Sequence, residues 1–166
     1  MDTPSPMDHF EGRSALYVAY LDAFRAQLAD AVAAMDPAEA AGSRLASGWT
    51  PLGLAVHLTY VERRWLVWGF CGEEVAAPWA DRRGDAFVAP PAEERRAILD
   101  ALAAQGRRSA KVLAGHALDE TGQPGERWEG ETPPTLERVA LHLVQEYARH
   151  LGHLDVVVEL ADAESP

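Results

Sequence analysis

Apolar residues recur every three or four positions through four long stretches of this chain. Nowhere do they sustain the alternation of a half-buried strand, so the pattern predicts an all-α fold. The first stretch runs from about Glu11 to Met35, carries a stripe at Leu16, Tyr20, Phe24, Leu28, Ala31 and Met35, and stops at Asp36-Pro37. A linker rich in Ala, Ser and Gly, Asp36 to Trp49, leads to a second helix with a defined start: Thr50 caps free backbone N–H groups and Pro51 suits the first helical position. That helix should reach about Phe70, with His57 between Leu54 and Val61 on the core side and Glu62 well off the centre of that face. After a loop punctuated by Gly72, Pro78, Gly84, Pro90 and Pro91, a third helix spans about Ala92 to Leu113, carried by Ile98, Leu99, Leu102, Val112 and Leu113. A Gly-rich loop, Ala114 to Glu131, precedes a final helix that opens at Thr132-Pro133-Pro134-Thr135 and ends near Ala161. Four helices joined by connections of roughly 14 to 20 residues predict a four-helix bundle whose loops, longer than usual, can roof a site.

The 166 residues suffice for a single domain with its own core. One cysteine, Cys71, excludes an internal disulfide framework and any multi-cysteine zinc site, so a metal here must use His and carboxylate. Cys71 falls at the end of the second helix, where the dipole disfavours a thiolate, and reads as a packed thiol. A formal net charge of -11, from 26 acidic and 15 basic side chains, repels nucleic acid, and the arginines come as pairs such as Arg63-Arg64 and Arg82-Arg83, not as a basic stripe. No run approaches the ~20 apolar residues of a membrane span. The N-terminal MDTPSPMDHF lacks a basic segment followed by an apolar one, so the expected location is cytoplasmic.

The chemistry concentrates in Glu146-Tyr-Ala-Arg-His150-Leu-Gly-His153. At 3.6 residues per turn, His150 lies roughly 40° round the helix from Glu146 and His153 about 20° to the other side, with His142 in the same arc. This polar stripe borders the apolar face formed by Leu143, Tyr147, Leu151, Leu154 and Val157. One histidine of the second helix and a Glu/His pair one turn apart on the last can meet between helices, so His57, Glu146 and His150 form a candidate His₂Glu set that suits zinc with a position left open. Nickel and iron(II) are compatible with the same donors. The alternative is that these are half-buried histidines bonded to neighbours, since a Glu/His pair at this spacing is common. His9 reads as a solvated tail residue and His116 as a helix C-terminal contact. Trp79, Phe87 and Trp128 in the loops could line a pocket or seal the bundle end, and sealing is the favoured reading.

Gly48-Trp49-Thr50-Pro51-Leu52-Gly53-Leu54-Ala55-Val56-His57-Leu58, Val61-Glu62-Arg63-Arg64-Trp65 and Glu146 to His153 together resemble the DinB superfamily, over nearly the whole chain. The similarity is closest to an actinobacterial branch near the mycothiol-dependent maleylpyruvate isomerases and mycothiol transferases. It implies a DinB-like four-helix bundle, one domain over 1–166 with tails at 1–10 and 162–166, and a divalent metal on His57, Glu146 and His150. Many members carry His where Glu146 stands; the isomerase-like branch carries Glu. The resemblance further implies metal-dependent transfer of a low-molecular-weight thiol, mycothiol, to a small electrophile, with the metal-bound thiolate as nucleophile, and a possible homodimer. His153 and Arg149 are its flanking candidates for contact with the thiol or substrate, with Arg63 and Arg64 as further arginines that a solvated surface role would equally explain. The alternative function is a non-catalytic metal-binding stress protein or small-molecule binding module in the same fold.

Overall fold

Thr50 caps its helix as its sequence requires: the hydroxyl accepts from the Gly53 N–H at 2.9 Å, with Pro51 in the first turn. The computed structural model describes residues 2–163. Within them the chain is predominantly helical, with α1 over Arg13–Ala34, a short α2 over Pro37–Ala41, α3 over Pro51–Glu62, α4 over Arg95–Gly115 and α5 over Leu136–Ala163. The four predicted long helices are present. The expected linker after Met35 holds α2, begun by Asp36, whose side chain accepts from the Ala38 N–H at 2.9 Å. The expected C-terminal tail overlaps the end of α5, and residues 164–166 lie outside the described ones.

The second predicted helix reaches Phe70, but from Arg63 it continues as a π-helix over Arg63–Phe70, closed by Cys71 N–H to Leu66 O at 2.8 Å. The wider turn breaks the 3.6-residue register on which the sequence reading relied. Between that segment and α4, two-residue strands β1 (Arg82–Arg83) and β2 (Ala86–Phe87) pair antiparallel, with Arg82 opposite Phe87. At the start of α5 the loop supplies carbonyls to free N–H groups, Leu136 N–H to Glu120 O and Glu137 N–H to Leu118 O, both at 2.9 Å.

α1 packs on α4 and α5, and α3 on α4 and α5. The fully buried Leu21, Leu28, Leu58, Leu102, Leu143 and Leu154 draw the core from all four. In α1 the buried stripe is Leu21, Phe24, Arg25, Leu28 and Val32, turned from the expected one, so that Leu16, Tyr20 and Met35 are half-buried. α3 is enclosed on nearly all sides, and Glu62, expected off the core face, is 0% exposed. A wheel reading presumes one solvent face, and α3 has none. Among the described residues no helix is long and apolar enough to cross a membrane.

Candidate metal centre

His57 is held from below by α3 and from above by the hairpin. Gly53, one turn earlier, lets the hairpin descend: a Cβ there would stand 2.3 Å from the Val88 carbonyl oxygen. Val88 N–H in turn bonds Asp81 O at 3.0 Å, closing the loop over α3. This seats the fully buried Asp81 against His57, its Oδ2 accepting from Nδ1 at 2.8 Å, and lays Phe87 flat on the imidazole with ring centres 4.0 Å apart.

Arg64, on the π-helix, grips the same carboxylate with Nη1 to Oδ1 at 2.6 Å and Nη2 to Oδ2 at 3.1 Å. It also donates to Pro78 O at 2.9 Å and stacks on Trp79. Burial by itself pushes the Asp81 carboxyl up, but the bonds from His57 and Arg64 outweigh it and hold it below the usual carboxylate range. Because an ionised Asp81 only accepts, Nδ1 carries the imidazole proton and Nε2 keeps its lone pair. Burial, reinforced by the charge of His150 and Arg64 and opposed by Asp81, lowers the His57 pKa, which favours the neutral imidazole that a cation requires.

From α5, Glu146 and His150 reach that lone pair. Glu146 Oε2 lies 3.4 Å from His150 Nε2 and 4.0 Å from His57 Nε2. The hydrogen bond to His150, stronger than the opposing effect of burial, keeps the Glu146 carboxyl low. One donor atom from each of His57, Glu146 and His150 falls within 4.8 Å of the others, a set that could hold a metal ion. Tetrahedral zinc ligands at about 2.0–2.1 Å from the ion stand roughly 3.3 Å apart, so these separations fit such an ion after small side-chain rotations. Glu146 remains 26% exposed, so the group opens to solvent on that side.

His142 Nε2 lies 3.5 Å from Glu146 Oε1 on the opposite flank, outside the three-donor group. His153 is exposed and packs edge-to-face with His150, ring centres 5.9 Å apart, while Arg149 is exposed. Arg64 is a buried partner of Asp81, not a surface cation, and Phe87 covers His57 instead of sealing a bundle end. The sequence reading missed Asp81. The one signal for it is general: an imidazole ligand usually bonds an acidic or carbonyl group through its second nitrogen, and nothing in the loop's spacing singles out Asp81 from Asp85. Asp81→Asn should weaken binding of zinc by about 10- to 100-fold, read by competition with a chromogenic chelator; an unchanged affinity would remove Asp81 from the site.

These features define an all-α protein with a His/carboxylate group between helices that could hold a metal ion. The chain belongs to the mycothiol-S-transferase family, a DinB-like family whose pattern matches residues 16–163. No curated protein and no solved structure matches it.

Proposed function

We propose that this protein is a metal-dependent transferase that joins a low-molecular-weight thiol, mycothiol, to a small electrophile. In this reading, residues 1–166 form one domain, a DinB-like four-helix bundle of α1, α3 with its π-helical extension, α4 and α5. The observation that carries the proposal is the convergence of His57, Glu146 and His150 in a chain of a family named for mycothiol transfer. Zinc is the favoured ion for two imidazoles and one carboxylate. A cation held there lowers the pKa of a thiol from its ordinary ~8.5, supplying thiolate near neutral pH.

The chain's own groups prepare that site. Asp81 and Arg64 fix the His57 ring and its tautomer. Phe87 excludes water from one face of the imidazole, and the open side at Glu146 admits thiol and electrophile. In the transfer, sulfur bonds to the electrophilic carbon, the leaving group departs with its electron pair, and the thiol proton passes to solvent.

With chlorodinitrobenzene as electrophile, mycothiol consumption and chloride release should exceed the uncatalysed rate only when zinc-loaded protein is present. Mycothiol binding with no consumption above the uncatalysed rate, across a panel of electrophiles, would replace this reading with that of a non-catalytic binding module.

A further inference from the structure

The hairpin over His57 has little of its own to keep it folded. Its strands β1 and β2 are two residues each, joined at Gly84-Asp85 with Gly84 at φ +63°. Residues 82–86 are exposed, and Phe87 and Val88 after them are half-buried. A hairpin of two strands is marginal in water, and a segment with few buried apolar contacts opens at low cost. Beside it, a cavity of about 490 Å³ between Val56, Phe87, Val88, Pro90 and Pro91 leaves the returning strand without close packing on that side.

The contacts that hold the hairpin down converge on one member of the three-donor group. Phe87 lies flat on the His57 ring and also approaches His150, ring centres 6.0 Å apart. Arg82, the cross-strand partner of Phe87, sets its guanidinium 5.6 Å from the centre of the Phe87 ring. At the base, the Asp81 side chain accepts from His57 Nδ1 and its carbonyl accepts from the Val88 N–H. The Val88 carbonyl in turn rests against Gly53, where a Cβ would stand 2.3 Å away. With Phe87 on one face and Asp81 on Nδ1, the His57 side chain is only 3% exposed, and the ring has no room to swing aside while these contacts stand.

We infer that this hairpin is a retention strap: it opens and closes over His57 as a unit, and its closure governs how fast a metal ion leaves the site. The inference rests on the metal reading of His57, Glu146 and His150, and not on thiol transfer. With the strap down, His57 stays in place when Glu146 or His150 lets go, so the ion is recaptured. With the strap raised, His57 turns away. Linkage makes the effect reciprocal: the factor by which closure raises affinity for the ion is the factor by which the ion favours closure. Phe87 and Gly53 are positioning residues, since neither carries a metal-binding side chain.

Zinc is the probe. Stopped-flow transfer from zinc-loaded protein to a chromogenic chelator reads release, and hydrogen exchange with and without zinc reads opening of the hairpin. Without zinc, the Val88 N–H should be at least about tenfold less protected than the amides of the buried Leu21 and Leu28, and zinc should raise its protection. Phe87→Ala should speed release by about tenfold, the loss of one aromatic stack. Phe87→Leu, which keeps apolar cover without the stack, should fall between. Gly53→Ala lifts the strap from below without altering a donor, and should speed release by a similar factor. Its Cβ would also stand 3.1 Å from Thr50 Oγ1, so folding is checked by circular dichroism, and the two Phe87 variants carry the comparison if it does not fold. Cobalt(II) should give one visible absorption spectrum in all of these proteins, because the donor set is unchanged. Unaltered release in the folded variants, a changed cobalt spectrum, Val88 protection equal to that of Leu21, or protection indifferent to zinc would each overturn the strap and leave the metal site standing. Wild-type protein that binds no zinc would sink both.

Discussion

Alanine in place of His57, Glu146 or His150 should reduce the bound divalent metal from about one ion per chain to a small fraction of that, because three protein donors are the minimum of an open zinc site. Elemental analysis of tag-free protein purified without chelator reads this directly. His57→Ala also strands the buried Asp81–Arg64 pair, so its fold needs checking; Glu146→Ala and His150→Ala act at half-buried positions and report on the metal alone. His153→Ala should lose much less, since His153 is exposed and stands outside the three-donor group, in ring contact with His150. Equal losses from His153→Ala and His150→Ala would overturn the ligand assignment. Metal-free wild-type protein that gains no zinc, nickel or iron(II) on incubation would remove the metal site altogether.

A second large effect is expected in the core, at a polar network apart from the proposed donors. Glu62, with no exposure, accepts from Arg25 Nε at 2.7 Å, from the Tyr147 hydroxyl at 2.6 Å and from the Ser109 hydroxyl. Arg25 is itself 6% exposed and also pairs with Asp22. Gly106 makes room for it: a Cβ there would stand 2.7 Å from Arg25 Cδ. Burial disfavours the guanidinium charge, but Glu62 and the neighbouring hydrogen bonds more than compensate and raise its pKa. Burial, with the Glu62 charge adding to it, drives the Tyr147 phenol well up, so it remains a donor.

Glu62→Ala takes the buried carboxylate from Arg25, leaving it the half-buried Asp22, and strands two hydroxyls; it should destabilise the protein by about 3–5 kcal/mol. That corresponds to a fall in Tm of roughly 10 °C, at about 2–4 °C per kcal/mol for a chain of this size. Denaturant unfolding of the apo-protein measures it. Arg25→Met combined with Glu62→Leu should recover most of the loss, because removing both charges strands neither. A Glu62→Ala penalty below about 1 kcal/mol, the range of exposed ion pairs, would show that the network contributes little.

The network also bears on the site through geometry. The bond from Tyr147 to Glu62 helps fix the rotation of α5 against α3, and residue 146, next in sequence, lies about 100° round the helix from it. With Tyr147 pointing into the core beside Leu143 and Leu151, Glu146 and His150 fall on the flank that faces His57.

What the sequence determined by itself is the part governed by local periodicity. The i, i+4 spacing of Glu146 and His150 puts them on one face of a helix wherever that helix lies, and Thr50-Pro51 starts α3 so that His57 points inward. The long helices were legible for the same reason, since backbone hydrogen bonding and the 3.6-residue repeat are short-range. The tertiary structure alone decided which groups from distant segments meet them. Asp81 and Phe87 reach His57 across 24 and 30 residues because Gly53 admits the hairpin, a packing contact with no period to read. Arg64, open to a surface role in the sequence reading, is buried against Asp81, a residue 17 positions further along the chain. Glu62 is buried because α3 is enclosed by its neighbours, and its charge is tolerated only because Arg25, Ser109 and Tyr147 converge on it from three other helices. Short-range hydrogen bonding writes its outcome into neighbouring residues, whereas burial and charge pairing depend on which distant surfaces the fold brings together.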